Sequence, residues 1–343
     1  MRRDLAIDLG TANVSVLVRG ESVVVSEPAV VARLTDTGEV VAVGREAERM
    51  VGRTHDRLET VRPFGAGAVL DTAAARELIR AVLRLAGIRR RHRVRAVVAV
   101  PSPMTALEQR AVLDALAAAG VLTVRLVGHT MAAAVGCRLP VEQPVGSLVV
   151  DVGAGTTEAA VLSLGGVVAL EWRPLGGLDL DREIQALVER RHGVTIDRPT
   201  ADGVKRALAP GAARWPLTVR GRSASVAAAA ELERQEVVDA IDEPIRSLVD
   251  VVVACAGWVP PEIAADLTAG GVHLVGGTAQ LDGLAARIGE ACRLPVHPVV
   301  DPGAVIVRGA ARLLGRFDGP AEVFLDGVPA PSDRVPIDGS VSP

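Results

Sequence analysis

Leu5-Ala6-Ile7-Asp8-Leu9-Gly10-Thr11-Ala12-Asn13-Val14-Ser15-Val16-Leu17-Val18 sets the reading of the whole chain, because its pattern returns far downstream. There it runs Val149-Val150-Asp151-Val152-Gly153-Ala154-Gly155-Thr156-Thr157-Glu158-Ala159-Ala160-Val161-Leu162. Each copy opens on a short apolar run suited to a buried strand, breaks at Asp-x-Gly followed by small residues, and resumes with β-favouring residues. Both predict strand, tight turn, strand. One Asp-x-Gly alone is an ordinary hairpin signal. Two with matching flanks point to a duplicated domain in which each half supplies one turn. Small residues let backbone N–H groups come close to a ligand, and successive N–H groups in a turn make an anion-binding hollow. The aspartate at each strand end is placed to hold a cation through water. Two such turns facing each other across a cleft would clamp a polyphosphate and its Mg2+ from both sides.

A third glycine element, Gly270-Gly271-Val272-His273-Leu274-Val275-Gly276-Gly277-Thr278-Ala279-Gln280-Leu281-Asp282-Gly283-Leu284, reads as a strand, a glycine turn and a helix from about Leu281 to Cys292. That arrangement puts backbone amides and a helix N-terminus at the strand's carboxyl end, though a tight connection without a ligand reads the same way.

The 343 residues, 49% hydrophobic and 23% charged, can bury about three quarters of the unfolded surface and favour two domains. A formal charge of −3, from 38 basic and 41 acidic residues, supplies no field for gripping a nucleic-acid backbone. Cys137, Cys255 and Cys292 are scattered and odd in number, which argues for a reducing compartment. No stretch approaches the roughly 20 apolar residues of a spanning helix, and Met1-Arg2-Arg3-Asp4 lacks the apolar core of a signal peptide, so the chain reads as cytoplasmic. Lys205 is the only lysine, and its context Gly203-Val204-Lys205-Arg206 rules out a G-x-x-x-x-G-K-[ST] loop. The six histidines form no H-E-x-x-H or Cys/His cluster, which argues against a histidine metal site.

The two turns, together with Ser26-Glu27-Pro28-Ala29-Val30-Val31-Ala32, Ser163-Leu164-Gly165-Gly166, Arg62-Pro63, Val100-Pro101, Met131-Ala132-Ala133-Ala134-Val135-Gly136, Val259-Pro260-Pro261-Glu262, Gly276-Gly277 and Val307-Arg308-Gly309-Ala310-Ala311, resemble the MreB/Mbl family of bacterial actin homologues. The resemblance covers about residues 4–316. It implies an α/β, actin-like ATPase fold: two duplicated domains, each a mixed sheet flanked by helices, with a nucleotide cleft between them. It also implies an ATP-binding protein that self-associates into filaments beneath the membrane and works with the cell-wall synthesis machinery to set cell shape.

By that resemblance Gly10, Thr11, Ala12 and Asn13 contact the β- and γ-phosphates from the first domain, and Gly153, Ala154, Gly155 and Thr156 from the second. Asp8 and Asp151 orient Mg2+ through its waters. Gly276, Gly277, Thr278 and Ala279 line the adenosine pocket. Asp202 and Lys205, three apart and so on one helix face, stand where the family has Glu-x-x-Lys near the ribose. The family also carries two glutamates before Met-Ala-Ala-Ala, one of which positions the attacking water; here Gly128 and His129 replace them, leaving His129 as a substitute base. ATP binding with slow or lost hydrolysis is therefore expected, a weak ATPase at most. Ala154 and Thr278 stand in for glycines, and each added side chain would narrow the backbone's approach to nucleotide.

The expected organisation is a first domain over 1–143 with a small subdomain at 32–71 and a returning helix at 303–316, then a second domain over 144–302 with a small subdomain at 182–249. Apolar spacing predicts helices at Thr72–Leu85, Ala106–Ala119 and Val237–Cys255, with a short hairpin inside Trp215–Ser223. Residues 317–343, rich in Pro, Gly, Asp and Ser, read as a flexible tail. Arg89, Arg90, Arg91 and Arg93 form a charge run that reads as a solvated loop or as a patch drawn to an anionic leaflet at the inner face of the membrane. Two other functions remain open: a non-filamentous nucleotide-binding adaptor without hydrolysis, and a small-molecule kinase of the same superfamily.

Overall fold

A computed structural model describes all residues except Met1, Val23, 53–55, 90–91, Pro210, Ser225, 320–322 and 326–343. The first half comprises β1 (Arg2–Leu9), β2 (Asn13–Val18), β3 (Val24–Pro28), β4 (Val31–Leu34), β5 (Val40–Val43), α1 (Arg45–Glu48), β6 (Leu58–Val61), β7 (Phe64–Gly65) and β8 (Ala68–Val69). It continues through α2 (Thr72–Leu85), β9 (Arg93–Val100), α3 (Ala106–Ala119), β10 (Thr123–Gly128) and α4 (His129–Gly136). The second half comprises β11 (Ser147–Val152), β12 (Thr157–Ser163), β13 (Gly166–Arg173), α5 (Gly177–His192), α6 (Arg198–Ala207), β14 (Leu217–Ser223) and β15 (Val226–Leu232). It ends with α7 (Arg234–Ala240), α8 (Asp242–Gly257), α9 (Pro261–Gly270), β16 (Val272–Val275), α10 (Leu284–Cys292), β17 (Val296–Pro298) and α11 (Val305–Leu313).

The duplication read from the two turns extends to the sheets. One has the order β10-β9-β1-β2-β3 and the other β17-β16-β11-β12-β13. In each, the strand before the turn pairs antiparallel with the strand after it and parallel with a later strand. The register matches too: Asp8 lies opposite Ser15, and Asp151 opposite Glu158. These two sheets, each carrying helices, make an α/β architecture of two matching halves.

Of the four apolar clusters among the described residues, three large ones hold the halves. One packs α2 and α3 on the first sheet, and a second packs α5, α8 and α10 on the second. A third lies between the sheets, where α4 and α11 cross and Ala6, Val97, Val149 and Val275 meet them. That crossing depends on small residues. A Cβ on Gly309 would run into the Ala132 carbonyl and lie 2.8 Å from the Gly136 nitrogen.

Local chemistry explains where several elements begin. Asp71 accepts the Ala74 N–H and starts α2, and the Thr105/Glu108 capping box starts α3. The expected continuous helix over 237–255 is broken into α7 and α8, because Pro244 has no N–H to offer the carbonyl of Ala240. The hairpin expected within 215–223 is larger: β14 pairs with the alanine-rich β15 along seven registered positions. Part of the expected tail is docked rather than free. Phe317 and Phe324 are 8% and 1% exposed, Arg125 lies 3.9 Å over the Phe324 ring, and Arg95 lies 4.6 Å over Phe317 and pairs with Asp318 at 3.0 Å. Two aromatics on guanidinium planes supply the anchorage that the Pro/Gly/Ser composition hid.

Candidate functional site

The turns after β1 and β11 face each other across a cleft of about 970 Å3 lined by residues of both halves. Gly10, Thr11, Ala12 and Asn13 lie on one wall and Gly153, Ala154, Gly155 and Thr156 on the other. Their approach is close: a Cβ on Gly155 would stand 2.7 Å from Thr11 Oγ1. Asp8, His129 and Asp151 sit at the base, while Asp202, Lys205, Gly276, Gly277 and Thr278 continue the second wall. Ala279 does not join them; it is 8% exposed and packs in the second half's core.

Thr278 does more than add a side chain to the cleft. Its side chain stands in the cleft wall, and its Oγ1 donates to Gly153 O at 2.8 Å, which ties the third glycine element to the second turn. Gly276 takes φ +92, so the backbone enters this turn through a region open to glycine.

Lys205 and Asp202 project from α6, which Asp197 caps by accepting the Thr200 N–H. Beyond their 3.1 Å pairing, Lys205 Nζ donates to Asp181 Oδ1 at 2.6 Å and to Gly177 O at 2.9 Å. Asp181, 1% exposed, was invisible in the sequence because it lies on α5 and its partner on α6. Burial raises its pKa against the pull of Lys205. Lys205→Ala leaves that carboxyl unpaired and is expected to cost about 3 kcal/mol, read as a fall in melting temperature; an unchanged melt would show that the pair contributes nothing.

Arg62 is the residue the sequence reading underused, having appeared only within an Arg62-Pro63 motif. Its Nη1 donates to Thr11 O at 3.1 Å, so its guanidinium faces the cleft beside the first turn. Burial, reinforced by Arg198, lowers its pKa to about 10, while Glu48, Asp181 and Asp202 oppose the drop. An anion in the cleft would relieve that desolvated charge. At the mouth, Arg198 reaches across to Glu48 at 3.8 Å.

His129 opens α4 directly after β10. Its Nε2 lies 3.3 Å from Asp8 Oδ1, and its Nδ1 lies 3.7 Å from Asp151 Oδ2 and 3.6 Å from Glu158 Oε1. Both ring nitrogens, Asp8 Oδ1, Asp151 Oδ1 and Glu158 Oε1 are buried without an aligned hydrogen-bond partner. Burial works against charge on the ring, yet Asp8 and Glu158 outweigh it and hold the pKa well above the ordinary histidine value. Burial pushes Asp151 up to about 7, opposed by His129 and reinforced by Glu158 and Asp8. Those carboxylates favour the protonated ring over the neutral one that would accept a proton from water.

The same contacts bear on Mg2+. A hard cation held through water wants an all-oxygen surround. Asp8 and Asp151 supply oxygens, but an imidazole stands between them with a nitrogen toward each. The residues present do not fit a Mg2+ hydrate slung between these two carboxylates.

The profile of the MreB/Mbl protein family matches residues 2–321. Cell shape-determining protein MreB of Escherichia coli (strain K12) is 35% identical over 326 residues, covering 92% of this chain and 94% of its own. Cell shape-determining protein Mbl of Bacillus subtilis (strain 168) is 32% identical over 322 residues, covering 92% of this chain and 97% of its own. The crystal structure of MreB5 of Spiroplasma citri bound to ADP superposes with a TM-score of 0.83 at 26% identity, covering 91% of this chain and 96% of that one. With its duplicated sheets and facing turns, the chain belongs to the MreB/Mbl family of actin-like proteins.

Proposed function

We propose that this protein binds ATP between its two turns and, in the nucleotide-bound form, self-associates into filaments that organise cell-wall synthesis and cell shape. One observation carries the reading: Gly155 of one half abuts Thr11 of the other, so the two small-residue turns line one crevice, an arrangement that supports a polyphosphate clamp. The MreB5 structures bound to ADP and to AMPPNP support the ligand class, and kinship to the cell shape-determining proteins supports the cellular role.

Arg62 would meet the phosphates from the first half, while Asp202 and Lys205 would face the ribose from α6. Hydrolysis is slow or absent on this reading, because the position expected to order water carries a ring enclosed by carboxylates. The Mg2+ implied by the resemblance would travel on the phosphates rather than between Asp8 and Asp151. Location at the inner face of the membrane stays part of the proposal. Arg89 and Arg93 are exposed and available to an anionic surface, and Arg90 and Arg91 lie outside the described residues. Among the described residues no helix is long and apolar enough to cross a membrane.

Sedimentation of the purified protein with ATP-Mg2+, with a nonhydrolysable analogue and without nucleotide, read beside phosphate release, tests this. Nucleotide-dependent pelleting with phosphate release near background is expected. Binding without pelleting would move the assignment to a non-filamentous adaptor, and no binding would overturn it.

A further inference from the structure

The carboxylates around His129 are arranged in a way that the nucleotide alone does not explain. Asp151 and Glu158 are directly opposite one another on β11 and β12, with side chains 4% and 0% exposed. Like charges in that relation repel, and burial amplifies the repulsion unless a cation, the imidazolium itself or a metal ion that displaces its proton, lies against both. His129 Nδ1 faces both, and the donor atoms of the three residues lie within 4.8 Å of one another. We propose that His129 Nδ1, Asp151 and Glu158 form a binding site for a borderline transition dication, Zn2+ above Mn2+, that discriminates against Mg2+.

The two nitrogen–oxygen edges suit such an ion. Four donors at about 2.0–2.2 Å from a tetrahedral centre stand about 3.4 Å apart, and the Nδ1–Oδ2 and Nδ1–Oε1 distances are 3.7 and 3.6 Å. The outer shell is built as well. Asp8 Oδ1 stands 3.3 Å from Nε2 on the far edge of the ring, where a carboxylate that takes the Nε2 proton leaves the Nδ1 lone pair for the metal. The Ser102 N–H donates to Glu158 Oε2 at 2.9 Å, which holds the second carboxylate and leaves Oε1 for the ion. One imidazole nitrogen with two carboxylate oxygens favours Zn2+ over Mn2+ and both over Mg2+. As the ion enters, the Nδ1 proton leaves to solvent. His129 and Asp151 also line the cleft, so a phosphate oxygen would complete the set if the nucleotide reading holds.

The test uses the full chain, stripped with chelator and free of nucleotide, so that its failure leaves the nucleotide reading untouched. Calorimetric titration with Zn2+, Mn2+ and Mg2+ is expected to give one Zn2+ per chain, bound at least 100-fold more tightly than Mg2+. Pulsed electron paramagnetic resonance of the Mn2+-loaded wild-type protein is expected to show a directly coordinated imidazole nitrogen, a readout that requires no variant to fold. His129→Gln and Glu158→Gln should each weaken Zn2+ at least 30-fold. His297→Gln, at the His273–His297 ring pair outside the cleft, should leave it unchanged. Equal affinity for Zn2+ and Mg2+, absence of nitrogen coupling, or Zn2+ binding that survives His129→Gln would each overturn the site.

Discussion

Gly309→Ala is expected to destabilise the protein by about 3 kcal/mol, opposite in sign to the helix-propensity effect of the same change. On an exposed helix, replacing glycine by alanine stabilises by about 1 kcal/mol. Here the new Cβ would collide with the Ala132 carbonyl and approach Ala132 C at 2.7 Å and Gly136 N at 2.8 Å, all backbone atoms of α4 that cannot rotate aside. Gly136 makes the reciprocal approach to Val305, so the helices have no slack on either side. To admit one methyl group α4 and α11 must separate, opening the core that both sheets share. Thermal denaturation should show a fall of roughly 4 °C. A melt equal to or above wild type would mean that the crossing is looser than described.

Gly155→Val should abolish nucleotide binding while leaving the melting temperature near that of wild type. The first carbon of the new side chain would lie 2.7 Å from Thr11 Oγ1, 2.9 Å from Thr11 Cγ2 and 3.1 Å from Thr11 Cβ. Thr11 is β-branched and stiff, so the turns themselves must part, and two sets of amides aimed at one phosphate chain lose their common focus. A loss of at least 100-fold, about 2.7 kcal/mol, is expected in titration with a fluorescent ATP analogue. Thr11→Ala in the same chain removes the obstructing hydroxyl and methyl and should recover part of the affinity. Unchanged binding in Gly155→Val would remove the clamp from the functional reading.

What was legible in the sequence is what local rules decide. The Asp-x-Gly turns announced themselves because small residues follow a buried apolar run, and their recurrence yielded the duplicated sheets. Helices α2 and α3 end where they were placed because Asp71 and Thr105 cap them and Gly120 closes the second in a left-handed conformation. Strand β15 escaped notice because Ala227–Ala230 has little intrinsic preference for a sheet, and its partner β14 decides its fate. The site divides along the same line. Residues contiguous with the turns were legible, whereas the surroundings of His129 come from β1, β11, β12 and α4 and exist only after the halves meet. Glu158 was quoted within the second turn yet carried no assigned role, since nothing local reveals that it lies opposite Asp151. The absence of a sequential histidine cluster likewise said nothing about one histidine gathered with carboxylates in space.

Lys205, tethered in the cleft wall by Asp181, Asp202 and Gly177, holds the chain's only ε-amino group. Amine-directed reagents therefore have one side-chain amine to modify, and it lies in the crevice rather than scattered over the exterior. Mass-resolved footprinting of that single amine, separated from the terminal one by its peptide, turns the native chain into its own gauge of cleft occupancy, without an installed reporter.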